Sequence, residues 1–149
     1  MRVIACAGAG FLLAVLWFDL MFDIQARGRS HDEIPAGIRA SISAYYARVT
    51  TAARPMNLLI AATMLVTVGA LAGEAARGDL AVWRSVTSLV LATGAVGIAA
   101  GRTVRYATRL GAATDDARRQ SRLARVVLGD HLACFAAIAA VLVLQLLPA

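Results

Sequence analysis

The sequence predicts an all-α fold, a four-helix transmembrane bundle, and three observations carry that expectation. The chain is 60% apolar with a mean hydropathy of +0.70, where soluble domains are about half apolar. Four stretches, Val3–Phe22, Met56–Ala76, Ala81–Ala100 and Val126–Leu147, each come close to the roughly 20 residues a helix needs to cross about 30 Å of hydrocarbon. All fifteen basic residues are arginine, and twelve of them lie in the two connections that an even number of spans places on one face. Only Arg2, Arg77 and Arg84 fall on the other face. Basic residues collect on the cytoplasmic side, so both connections are expected inside and both termini outside, as in a bacterial inner-membrane protein. Four spans within 149 residues leave room for a single integral membrane domain covering residues 1–149.

The first segment is apolar or glycine from Val3 to Phe18 and reads as an uncleaved span. Its basic start is only Arg2, and Asp19 and Asp23 stand where a signal peptide would carry small residues for cleavage. The connection that follows begins as a loop, Arg27–Ser30, with His31 beside Asp32 and Glu33 as a solvated residue. Pro35 suits the first turn of a helix behind these acidic residues. Ile38, Ile42, Tyr45 and Val49 then recur at helical spacing, which predicts an amphipathic helix along the inner interface or running on into span two. Pro55 disfavours helix at Arg54, so a break is expected there.

Spans two and three are joined by a short outer loop, Gly73 to Asp79. Trp83 reads as an interfacial belt residue, and Arg84 as a side chain snorkelling to water. Gly97-x-x-x-Gly101 permits close helix approach, first as packing within the chain and second as a homo-oligomer contact. Beyond Gly101 the helix is expected to continue through Arg102, Arg105 and Arg109 and to stop at Gly111. Thr114 is the expected N-cap of the next helix, with Asp115 pairing to Arg118 and Arg119 before span four begins. These two helices are expected to form a cytoplasmic helical extension, a protruding hairpin with few apolar residues to pack. Cys6 and Cys134 belong at different depths, too far apart for a disulfide. The basic face suits membrane lipid, including anionic headgroups, and no aromatic-interleaved module points to nucleic acid.

Ionisable groups inside spans are costly and direct attention to a site. Asp19 and Asp23, four residues apart, share one face of span one at its inner end. Asp130 and His131 lie at the matching depth of span four, and Arg54 and Asn57 flank Pro55 at the inner end of span two. Arg102 and Arg105 belong to the same level on span three. All four helices thus bring polar groups to one layer under the cytoplasmic surface. One reading is an ion-pair network that satisfies itself, Asp19 with Arg54 or Arg102 and Asp130 with Arg105 or a neighbouring arginine. The other is a site, in one of three chemical forms. A metal would use Asp19, Asp23 and His131. A proton relay would use the same carboxylates and imidazole, although the outer halves of the spans offer almost no ionisable group to continue it. An anionic or quinone-like ligand would be held by Arg54, Asn57 and His131. With His131 the lone intramembrane histidine, bis-histidine haem within one chain is excluded, and no other cofactor is specified.

The polar-ended first span, the stretch Ala44-Tyr45-Tyr46-Ala47-Arg48-Val49-Thr50 leading into Arg54-Pro55-Met56-Asn57, and Arg125 followed by Asp130-His131 resemble the anthrone-oxygenase-like family. The resemblance implies a small four-span bacterial membrane protein. Most such proteins have no assigned activity, and some are associated with oxygenation of polycyclic aromatic ketones without an evident cofactor. The expected function is therefore binding of a small ligand or partner at the inner-end polar cluster. The alternatives are a cofactor-poor oxidoreductase or oxygenase with His131 as base, and an ion or proton pathway.

Overall fold

The computed structural model describes residues 1–28, 33–52 and 54–148, with Arg54 described by its backbone alone. The Arg29–Asp32 part of the expected loop, His31 included, lies outside these residues. Six α-helices occur among them: α1 (Arg2–Asp23), α2 (Ala36–Ala47), α3 (Arg54–Arg77), α4 (Val82–Ile98), α5 (Val104–Ala112) and α6 (Ala117–Leu146). No strand is present among the described residues. Four helical segments, Arg2–Ala26, Pro55–Arg77, Val82–Ala112 and Ala117–Leu146, are long and apolar enough to cross a membrane. The all-α expectation and the four apolar helices therefore hold.

Helix α1 packs on α3 and α6, and α4 packs on the same two, so the order around the bundle is α1–α6–α4–α3. Small residues let these helices approach. Ala5, Ala70, Leu71, Ala92 and Val141 form an apolar layer nearest the chain termini, and Ala9, Leu12, Ala95, Cys134 and Ile138 form the next. Gly8 is required where α1 meets α3, because a Cβ there would stand 2.1 Å from Thr67 Oγ1. Cys6 and Cys134 are both free.

The arginine-rich connections depart from expectation. The hairpin of α5 and the start of α6 does not protrude unpacked. Ala26, Ile34, Ile42, Tyr46, Ala107, Leu110, Leu123, Ala124 and Val127 close into a core of their own, with Ile38, Tyr45 and Val49 against it. The apolar stripe of α2 is thus spent on α5 and α6. Gly111 does not stop the helix. It lies inside α5, where a Cβ would meet the Ala47 backbone nitrogen at 2.6 Å, and its missing side chain lets α5 seat α2. The helix ends instead through Ala113 in the left-handed region at φ 52°. Asp116 rather than Thr114 caps α6, accepting from Arg119 N–H at 2.7 Å. Asp115 pairs with Arg119 as expected, at 3.5 Å, and with Arg109 at 2.8 Å.

Helix α3 begins at Arg54, so Pro55 occupies its first turn, where the absent N–H costs nothing. The expected outer loop from Gly73 is helix as far as Arg77 and turns only at Gly78, φ 68°. Arg84 does not snorkel. It is buried and donates to the carbonyls of Leu144, Leu147 and Pro148 at 2.6–2.9 Å, satisfying the end of α6. Trp83 is exposed, as a belt residue should be. Gly94, Gly97 and Gly101 have no neighbour within 4 Å of a built Cβ, so the glycine stripe is not used for packing within the chain.

Candidate functional site

Helix α1 ends at Asp23, and its last turn delivers two carboxylates toward α6 and α2. Asp23 is fully buried with a partner on each oxygen. Oδ1 accepts from Tyr46 OH at 2.6 Å, and Oδ2 lies 2.6 Å from His131 Nδ1. Asp19, one turn earlier, accepts from Tyr45 OH at 2.6 Å. Consecutive tyrosines on α2 therefore diverge to reach carboxylates four residues apart on α1. Phe22 stacks on Tyr45 at 4.0 Å between centroids, and Tyr45 meets Tyr46 edge-on at 5.3 Å. Burial first, and the adjoining carboxylates second, hold both phenols well above the ordinary tyrosine range. Both hydroxyls thus keep their protons and act as donors. With Tyr46 donating to Asp23 Oδ1, the other oxygen is an acceptor for a protonated Nδ1.

That arrangement leaves the second imidazole nitrogen open. His131 Nε2 faces Asp19 Oδ2 at 3.9 Å, too far for a hydrogen bond. The side chains of Asp19 and His131 are 17% and 10% exposed while Asp23 is 0%, so the two groups flanking the gap keep slight surface access and Asp23 has none. Trp17 and Phe18, both exposed, lie beside Asp19 on α1. Phe135 lies one helical turn beyond His131, its ring 6.3 Å from that of Trp17. Trp17 and Phe135 thus pair across α1 and α6, each within about one helical turn of Asp19 or His131 along its own helix.

Asp130 points the other way. It pairs with Arg102, whose Nε donates at 3.0 Å and whose Nη2 also contacts it, and Thr103 Oγ1 donates at 3.0 Å. A π-helical turn at Ala99–Thr103 precedes α5 and presents both donors. Such turns recur at functional positions. A second π-helical turn, Arg48–Ala52, follows α2, with Thr50 Oγ1 donating to Tyr46 O at 2.6 Å.

The expected single layer therefore resolves into two groups, back to back on α6. Asp19, Asp23 and His131 come together as the sequence implied. Asp130 pairs with Arg102, not Arg105, whose guanidinium reaches Gly101 O. Asp19 accepts from Tyr45, and Arg102, one of its two expected partners, is on Asp130 instead. Asn57 does not join the cluster: its amide donates to Thr50 O at 3.2 Å, serving the π-helical turn. The Arg54 side chain lies outside the described residues. The three-ligand metal form is not assembled, since both oxygens of Asp23 are engaged and only Asp19 and His131 Nε2 face one space. Among the described residues no group of three or more His, Cys, Asp or Glu has metal-binding geometry.

Tyr45, Tyr46 and Thr103 were missed as partners. The available signal was general: a tyrosine on a buried stripe needs a hydrogen-bond acceptor for its hydroxyl. No protein-family model matches the chain, and neither a curated protein nor a solved structure is significantly similar to it.

Proposed function

We propose that this chain is a multi-pass bacterial inner-membrane protein that binds a lipid-soluble, hydroxyl-bearing ligand between His131 and Asp19. The observation that carries the reading is the 3.9 Å gap between Nε2 and Oδ2 in a cluster whose deeper atoms are all engaged. One hydroxyl can seat beside that gap and donate its proton to Nε2 or to Oδ2 at about 2.8 Å, both being acceptors when Nδ1 carries the ring proton. Trp17, Phe18 and Phe135 favour an aromatic body on that hydroxyl, approaching from the lipid. The twelve-to-three split of arginines supports placing this end in the cytoplasm, against anionic headgroups.

A second reading follows from Asp23 standing behind Nδ1. A carboxylate there fixes the tautomer with Nε2 as acceptor, the form in which His131 takes a proton from a bound hydroxyl. A cofactor-poor oxygenase acting on a hydrophobic aromatic substrate, the alternative that the anthrone-oxygenase-like resemblance suggests, would use that step. A through-membrane proton pathway is disfavoured. Glu74 and Arg84 do place ionisable groups at the far end, but the two apolar layers that include Leu12, Leu71, Ile138 and Val141 intervene.

Equilibrium dialysis of 1-naphthol against the nanodisc-embedded protein, with empty nanodiscs subtracted and naphthalene for comparison, tests the reading. Saturable binding of 1-naphthol alone is expected, weakened at least tenfold by Asp19→Asn and by His131→Ala. Equal uptake of both compounds, or binding indifferent to Asp19→Asn, would refute it.

A further inference from the structure

The donors of the His131 cluster all point at carboxylate oxygens. Tyr45 OH donates to Asp19 Oδ1, Tyr46 OH to Asp23 Oδ1, and Nδ1 of His131 to Asp23 Oδ2, each at 2.6 Å. Both phenols lie outside the spanning segments and are held above the ordinary tyrosine range, first by burial and then by the neighbouring carboxylates. Neither donor is lost near neutral pH. The Tyr45 ring is fixed as well, stacked on Phe22 at 4.0 Å with 11° between the planes. Its donation occupies Asp19 Oδ1 and leaves Oδ2 for the gap.

Two atoms remain, Asp19 Oδ2 and His131 Nε2, 3.9 Å apart. With the ring proton on Nδ1 both are acceptors, and among the described residues neither has another hydrogen-bond donor. Arg102, a cation expected beside Asp19, is on Asp130. Two acceptors side by side with no proton between them form an unsatisfied pair. A single hydroxyl carries one proton and serves one of the two. A ketone, quinone or ether oxygen carries none and sets lone pair against lone pair. Two hydroxyls on neighbouring ring carbons bring two protons along a single edge. Their oxygens lie closer together than the two acceptors, so the O–H bonds splay outward to reach both.

Resting on the reading of this gap as a ligand site, we infer that its preferred occupant is an aromatic with vicinal hydroxyl groups. One hydroxyl of this catechol-type edge donates to Nε2 and the other to Oδ2. Tyr45 is the positioning residue for that preference, acting through Asp19, which it keeps turned to the gap as an acceptor.

Equilibrium dialysis against the full-length protein in nanodiscs, with empty nanodiscs subtracted, tests this with 2,3-dihydroxynaphthalene, its 2,7 isomer, 2-naphthol and 2,3-dimethoxynaphthalene. The 2,3 diol is expected to bind about tenfold more tightly than 2-naphthol or the 2,7 isomer, the contribution of one further hydrogen bond to a charged acceptor. The dimethoxy compound is expected not to saturate. In Asp19→Asn the advantage of the 2,3 diol should vanish, because Tyr45 claims the amide oxygen and the amide nitrogen offers a donor to the gap. Equal affinities for the 2,3 diol and 2-naphthol, or an advantage that survives Asp19→Asn, would overturn the inference while leaving the hydroxyl-ligand reading in place. Absence of saturable binding for all four compounds would remove both. Should Asp19→Asn fail to fold, the ranking of the four compounds on the parent protein decides by itself.

Discussion

At the arginine-rich end of the bundle, Asp23 has a partner on each oxygen and Asp130 is held by Arg102 and Thr103. At the end carrying the termini, Glu74 and Gln145 are just as buried, yet each leaves a side-chain oxygen without a partner among the described residues. Two apolar layers separate these regions. The difference teaches that burial of charge in this fold follows two designs. One end is a wired network around Asp23 and Asp130, with a gap at Nε2 of His131. The other leaves buried polar atoms, the Arg84 Nε donor as well as oxygens of Glu74, Ser85 and Gln145, without partners among the described residues.

Removing one member from each region separates the designs most sharply. His131→Leu is expected to cost about 3–5 kcal/mol of stability, because it strands the fully buried Asp23 against a tyrosine alone. Glu74→Leu is expected to be neutral or stabilising, since a buried oxygen without a partner is removed. Denaturant titration of both variants checks this, and equal losses would erase the distinction.

A smaller effect concerns the donors that close the wired end. Tyr46→Phe leaves Asp23 Oδ1 without its hydrogen bond and is expected to cost about 1–3 kcal/mol near neutral pH. It should also change the alkaline behaviour. The folded phenol is held above its ordinary value of about 10, so the stability it contributes is full below that pH and is lost as pH rises through the folded value. Stability measured from pH 8 to 11 should therefore fall less steeply in Tyr46→Phe than in the parent protein. Identical slopes would mean that the hydroxyl does not titrate with folding.

The four apolar helices were legible because lipid imposes a length and a composition that few soluble helices share. The depth match of Asp19, Asp23 and His131 was legible for the same reason: counting along each span gives the level of each residue. What the count does not give is direction. Asp130 and His131 are adjacent in sequence, yet they face the π-helical turn after α4 and helix α1 respectively. The Gly97 and Gly101 stripe likewise has a spacing but no sign of which way it faces, and here it faces away from the bundle. Tyr45 and Tyr46 were hidden because a tyrosine counts as apolar in a periodic stripe while its hydroxyl does the bonding. Glu74 lies in the Gly73–Asp79 stretch whose sequence reads as a loop and which is helix as far as Arg77. The rule that drew attention to Asp19 applies equally to it.

The most direct test of the wired end is the 15N spectrum of the His131 ring in nanodisc-embedded protein carrying His31→Gln, where His131 is the only histidine. We expect a proton fixed on Nδ1 by the Asp23 carboxylate, and an Nε2 resonance that moves on addition of 1-naphthol and loses that response in Asp19→Asn. A proton residing on Nε2 with Nδ1 bare, or two nitrogens blind to 1-naphthol, would contradict the proposal that this gap is where a ligand binds.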